Sequence, residues 1–197
     1  MRLILIPLIV VVCMKASALD YELIMKADVN YDYHISMNEI LIAFNNGYDK
    51  DDLMVLYSFA KNNTSFKKTV KWYQIYRELK AMNVGKIYLF DEEYYLANPY
   101  ATRILVQQNM KRMPYIYPYY DCDDFTFYAM GIVHSKYLPA GTATFYAVVD
   151  IDTPFGVKRH TVLLMKAIDG KWYYYDPYKD CIISGDNIMF KPLYVFG

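Results

Sequence analysis

Charge imbalance is the first thing the sequence lacks. Twenty-one Lys and Arg residues balance twenty-one Asp and Glu, and no basic block interrupts the pattern, so a nucleic-acid partner has no electrostatic support. Long apolar runs are missing too. Beyond residues 3–14 no stretch approaches the roughly 20 apolar residues of a membrane helix. Cysteine is scarce, with Cys13, Cys122 and Cys181 the whole set, and histidine is limited to His34, His134 and His160. Any thiol or imidazole chemistry must therefore come from very few residues.

Tyrosine is what the chain has in abundance, 23 residues, which suits core and sheet filling first and a binding surface second. At the N-terminus, Met1 and Arg2 precede the apolar run Leu3 to Met14 and the small residues Ala16-Ser17-Ala18, the pattern of a secretory signal peptide. Residues 1–18 are expected to be removed and the mature chain exported. That cleavage would leave only Cys122 and Cys181, a pair that in an exported protein is ordinarily a disulfide.

Residues 19–27 carry a helical apolar pattern that runs into Asp28-Val-Asn30-Tyr-Asp32-Tyr-His34-Ile35-Ser36-Met-Asn-Glu39. This segment resembles an EF-hand. Asp28, Asn30, Asp32, Ser36 and Glu39 fall at the side-chain ligand positions of a calcium loop, and His34 falls at the position that offers a carbonyl. Tyr33 replaces the usual glycine at the turn and is expected to weaken calcium binding, not abolish it. A partner loop is expected about 35 residues on, with Val70 matching Ile35 and with Asn63, Ser65, Lys67 and Gln74 at positions 1, 3, 5 and 12. Lysine and glutamine there predict a metal-free structural loop, with Trp72 to Leu79 as its exit helix. The breaks at Asn83-Val-Gly85 and Asn98-Pro99 suggest a domain boundary, giving residues 19–82 as an EF-hand-like pair and 83–197 as a second domain.

In the second domain, Ile87 to Phe90 reads as a short strand, Asp91 to Ala97 as a helical turn, and Tyr100 to Met110 as ambiguous. Pro114 to Tyr120 is held extended by its prolines. A helix follows from Asp121 to about Tyr137, apolar on most of its circumference. Strands are expected over 142–151, 157–167, 171–176 and 189–196, rich in β-branched and aromatic residues.

Cys122 sits at the start of that helix, where the dipole favours a thiolate. Asp121 is a good N-cap, and Asp123 and Asp124 suit the first turn. A nucleophilic thiol needs a base and an orienting group. His134 is twelve residues along the same helix, about 18 Å away, so it cannot reach the sulfur. His160 is set in a strand among core-like residues. Asp176 lies sixteen residues later, across the Ile168-Asp-Gly170 turn, where an adjacent antiparallel strand can place it beside the imidazole.

A helix-capping cysteine, a strand histidine followed by apolar residues, and Trp172-x-x-x-Asp176-Pro177 together resemble the papain-like superfamily of cysteine peptidases, particularly its transglutaminase-like branch. The Asp121-Cys-Asp-Asp-Phe125 start is similar to the papain-like C-terminal domain of certain fungal agglutinins. The resemblance implies Cys122 as nucleophile, His160 as general base and acid, Asp176 as orienter, and an oxyanion-hole donor among Gln107, Gln108 and Asn109. The expected protein is α+β: a helical EF-hand pair, then a papain-like domain with a central helix on an antiparallel sheet. Its expected activity is that of a secreted, calcium-binding cysteine hydrolase or amide acyltransferase acting on a protein or peptide substrate. The alternative is a non-catalytic, calcium-stabilised binding protein on an inactive papain-like scaffold, with a tyrosine-rich recognition face and a Cys122–Cys181 disulfide.

Overall fold

The computed structural model describes residues 20–30, 34–61, 68–110, 121–136, 141–186 and 189–197. The expected signal segment 1–18, Asp32 and Tyr33 of the calcium-type loop, Asn63, Ser65 and Lys67 of the second loop, and Pro114 to Tyr120 lie outside the described residues. The fold is α+β, with a mostly antiparallel sheet and six helices among the described residues. The chain divides into two compact units, Met1–Phe66 and Lys67–Gly197, so the division falls ahead of the boundary expected near residue 83.

In the first unit, helix α1 spans Asp20–Ala27, α2 Met37–Asn45 and α3 Lys50–Lys61. Ile24, Met25, Ile35, Ala43 and Leu56 are its buried apolar residues. The start of α2 is a capping box. The Ser36 side chain accepts from the Glu39 amide at 3.3 Å, and the Ser36 amide donates to Glu39 Oε2 at 2.8 Å.

The second unit opens with β1 (Thr69–Lys71), α4 (Trp72–Ala81), β2 (Lys86–Tyr88), β3 (Glu93–Tyr95), α5 (Pro99–Asn109) and α6 (Cys122–Lys136). Strands β4 (Thr144–Thr153), β5 (Gly156–Lys166), β6 (Trp172–Asp176), β7 (Cys181–Ser184) and β8 (Phe190–Phe196) follow. Six strands form one sheet in the order β2-β8-β4-β5-β6-β7, while β1 and β3 make a separate antiparallel pair. Among the described strands only β2 and β8 pair in parallel. β4 to β6 form the expected meander, β7 continues it without having been expected, and β8 returns to the other side of β4.

Alternation along the strands gives the sheet two apolar faces. Phe145, Ala147, Val149, Val162, Leu164, Tyr174 and Val195 form one core with Ile75 and Leu79 of α4. On the other face Tyr146 and Phe196 meet Phe127 of α6, with the Phe127 and Tyr146 rings stacked at 4.3 Å. Helix α6 buries Phe125, Ala129, Ile132 and Val133, but Phe127 and Tyr128 are about half exposed. The helix is therefore covered on one side, where the sequence suggested burial most of the way round.

Two local expectations fail because pairing partners distant in sequence decide the outcome. Val70, expected in a second EF-hand loop, lies instead in β1 against β3, opposite Tyr94. Residues 91–97 supply strand β3 instead of a helical turn. Tyr100 to Met110, ambiguous in sequence, is helical because Asn98 caps the amides of Tyr100 and Ala101 and Pro99 opens the first turn.

Tyr94 ties the smaller strand pair to the main sheet. Its fully buried hydroxyl donates to the Gly197 carbonyl at 2.9 Å and accepts from the amides of Phe90 at 2.9 Å and Asp91 at 3.0 Å. Tyr94→Phe keeps the ring and strands these groups, so it is expected to lower unfolding free energy by about 1–3 kcal/mol in urea titration. An unchanged midpoint and slope would show that the phenol carries no such role.

Candidate functional site

The site begins at the first turn of α6. The Asp123 amide donates to Asp121 Oδ1 at 3.4 Å and the Asp121 amide to Asp124 Oδ2 at 3.2 Å, so these carboxylates serve the helix start. Asp121, Cys122 and Asp123 also bring potential ligand atoms within 4.8 Å of one another, but helix-start chemistry already accounts for both acids. Cys122 is partly buried, and its carbonyl accepts from the Thr126 hydroxyl at 2.8 Å. That hydroxyl lies 3.2 Å from Thr161 Oγ1, which links the helix to β5.

Strand β5 carries His160 opposite Val149 of β4, and Asp176 ends β6 opposite Cys181 of β7. With Leu163 facing Tyr175 across β5 and β6, the two functional side chains meet as the sequence suggested: His160 Nε2 is 2.8 Å from Asp176 Oδ2. The second Asp176 oxygen accepts from the amides of Tyr178 and Lys179, each at 3.0 Å. Asp176 is only 3% exposed, so its carboxylate is held by fixed partners and not by water.

The imidazole also acts on Cys122, and that interaction is the chief cause of a lowered Cys122 pKa. Burial opposes it, while the hydroxyl and backbone of Thr161 reinforce it. For His160, burial is the largest effect and pulls the pKa down, but the interactions with Asp176 and Cys122 and their negative charge outweigh it and raise the value to about 9. Burial pushes Asp176 up, yet His160, the Lys179 amide and nearby positive charge bring it below the ordinary carboxylate value. The hydrogen-bonded His160–Asp176 pair and the thiol it acts on are thus suited to a thiolate beside an imidazolium.

Two contributors escaped the sequence reading. Thr161 reaches Cys122 from the residue next to His160, and Tyr146 of β4 bonds to Thr161, its phenol pKa raised first by burial. Neither carries a local signature; the cross-strand pairing of Val148 with Thr161 and Tyr146 with Leu163 gathers them. Gln107 and Gln108 are exposed, and Asn109 donates its side-chain amide to the Leu105 carbonyl at 2.8 Å. His134 lies 3.0 Å from the Thr144 carbonyl, a structural contact. Cys122 and Cys181 are both free thiols, so the disulfide of the alternative reading is not formed.

In the first unit, Asp28 and Glu39 are each 2% exposed. Glu39 Oε1 accepts from the amides of Val29 at 3.0 Å and Asn30 at 3.3 Å, and Oε2 from Ser36. Two buried carboxylates beside a loop of oxygen donors are chemistry that suits a hard cation. Asn30, His34 and Ser36 flank them, while Asp32 lies outside the described residues.

No protein-family model and no curated protein matches the chain. Ten chains of solved structures do, two of which show the likeness. One is a complex of PSL1a with E64, 18% identical, covering 71% of this chain and 54% of its own, with a TM-score of 0.55. The other is Polyporus squamosus lectin bound to a human-type influenza-binding epitope, Neu5Aca2-6Galb1-4GlcNAc, 16% identical, covering 68% of this chain and 50% of its own, with a TM-score of 0.52. The likeness is one of fold, and the chain spans about half the length of each. These findings correct the family expectation. The named neighbours are PSL1a and a lectin, not papain-like or transglutaminase-like peptidases. The reading as a cysteine hydrolase or thiol protease with a protein or peptide substrate is overturned with it.

The chemistry of the three residues remains directly measurable. Because Cys122 is lowered, its charged form persists to lower pH than in an ordinary thiol, so iodoacetamide labelling is expected to rise with a midpoint below the usual thiol range. His160→Ala removes the cation and leaves burial and nearby carboxylates, so the midpoint should move up and labelling at neutral pH fall about ten- to a hundredfold. Mass-spectrometric labelling rates across pH read both effects, and coincident curves would dissolve the pair.

Proposed function

We propose that the protein is a carbohydrate-binding protein on a lectin-like fold that also carries a primed thiolate, with Cys122 as nucleophile, His160 as its acid–base partner and Asp176 as the orienter. The thiolate part is carried by one observation, the 2.8 Å contact of the His160 imidazole with Asp176, and it is supported by the action of the same imidazole on Cys122. What supports the carbohydrate part is the fold likeness to a lectin bound to a sialylated trisaccharide. The tyrosine-rich composition adds a plausible surface. Trp72, Tyr73 and Tyr76 are exposed on one stripe of α4, and such amphipathic rings suit the apolar faces of sugars.

The two parts have separate tests. Titration calorimetry with Neu5Aca2-6Galb1-4GlcNAc is expected to show saturable binding that weakens in Trp72→Ala. A wild-type protein that gives no heat with this or other sialylated glycans counts against the carbohydrate part. For the thiolate, E64 is a suitable probe, since PSL1a is known in complex with it. E64 is an epoxide. Attack by the Cys122 thiolate would form a sulfur–carbon bond, open the ring carbon–oxygen bond, and take a proton from the His160 imidazolium onto the released alkoxide. One stoichiometric adduct on Cys122, lost in Cys122→Ala and much slowed in His160→Ala, is the expected outcome; no adduct on Cys122 would remove the thiolate from the proposal.

Calcium is proposed for the loop of the first unit, with Asp28, Asn30, Asp32, Ser36 and Glu39 as side-chain donors and the carbonyl of His34. Bound there, the ion would neutralise the buried Asp28 and Glu39 and stabilise the unit by mass action. Millimolar calcium is expected to raise the melting temperature, and Glu39→Gln to abolish the rise. Equal melting in calcium and in chelator would exclude the site.

A further inference from the structure

Asp176 has a support that no local pattern announces. It leads into a four-residue turn, 177–180, that returns the chain to Cys181, directly opposite Asp176. The last residue of that turn, Asp180, is left-handed with φ 53°, a conformation that an L residue adopts at a cost. Arg103 of α5 grips its carboxylate through two parallel bonds, Nε to Oδ1 at 2.8 Å and Nη2 to Oδ2 at 2.6 Å. The Tyr175 hydroxyl donates to the same carboxylate at 3.2 Å. From the other side, the Tyr178 ring packs edge-on against Phe125 of α6 at 5.2 Å. The turn is thus pinned to both helices, and its Tyr178 and Lys179 amides are the ones that bind Asp176 Oδ1.

We propose that Arg103 is a positioning residue for the thiolate site, acting through Asp180 and the turn to hold Asp176 against His160. The inference rests on the thiolate reading above. Arginine fits the role because its planar fork fixes the direction of a carboxylate as well as its distance, which a lysine does not. If the fork is lost, the strained turn relaxes, Asp176 loses its amide partners and its aim at Nε2, and the imidazolium loses the support that favours the Cys122 thiolate. The charged and titratable groups in play are few. Cys122 faces His160, Asp121, Asp123 and Tyr146; Asp176 faces His160, Lys179 and Cys181; Asp180 faces Arg103, Tyr175 and Cys181.

The test is the pH dependence of Cys122 labelling by iodoacetamide in wild type, Arg103→Met and Asp180→Asn, with Arg103→Lys as the conservative variant. Asparagine tolerates the left-handed conformation, so Asp180→Asn keeps the fold if Arg103→Met does not. Both variants are expected to move the midpoint upward and to lower the rate at neutral pH about three- to tenfold, with Arg103→Lys between them and wild type. The shared direction is decisive. A through-space charge effect would raise the midpoint when the cation is removed and lower it when the anion is removed. Opposite shifts, or melting changes with an unmoved midpoint, overturn the positioning role. A wild-type midpoint in the ordinary thiol range overturns the thiolate reading itself, and this inference falls with it.

Discussion

The site depends on the register between β5 and β6. Leu163 faces Tyr175, Leu164 faces Tyr174 and Met165 faces Tyr173, and this pairing places His160 and Asp176 within a hydrogen bond. A slip of one residue would turn every side chain of the strand to the opposite face, exchanging buried Tyr174 for its neighbours and separating the imidazole from its carboxylate. Apolar burial on both faces makes that slip costly. Val162, Leu163, Leu164 and Met165 are all fully buried, so a slip would replace fitted side chains by others of different shape and draw Thr161 or Lys166 into their places. The polar contact thus follows from the apolar packing around it. A largely buried His–Asp pair must first offset its own desolvation, which leaves too little free energy to set a sheet register.

What could be read in the sequence was whatever is local or follows from a short turn. The helix start at Cys122 was legible because carboxylates at the first turn announce it, and the His160–Asp176 meeting was legible because one tight turn joins their strands. The parallel pairing of β2 with β8 was not, since Ile87 and Val195 meet only after the whole sheet lies between them in the chain. Strand β3 was hidden for the same reason. Helix α5 was hidden for a different one: its signal is the local Asn98 cap and Pro99, not an apolar pattern of its own. Thr161, Tyr146 and Arg103 carry no signature at all. Each joins the candidate site only through neighbours that the sheet or a helix brings from far along the chain.

The family expectation and the site expectation came apart because they rest on different things. A cysteine at a helix start, a strand histidine and an aspartate before proline suggested a peptidase superfamily, yet the solved structures of like fold include PSL1a and a lectin. Fold does not fix function. The geometry of three side chains states only what a thiol can do there, namely ionise easily and attack an electrophile. It does not name the electrophile. The three side chains therefore state a chemistry, and the fold by itself does not say what that chemistry acts on.

The acids beside Cys122 complete the electrostatic picture. Two carboxylates next to a thiolate ought to suppress it by like-charge repulsion. Asp123 itself has a raised pKa, chiefly through a hydrogen bond with Asp121 and then through burial. The Asp121 and Asp124 oxygens receive amide donors of the first turn, so the acids are placed by the helix start and not by the thiol. The lowering of the Cys122 pKa comes from elsewhere: His160 is its first cause, burial opposes it, and Thr161 supports it. The helix start therefore supplies the position of the sulfur, and strand β5 supplies what favours its ionisation.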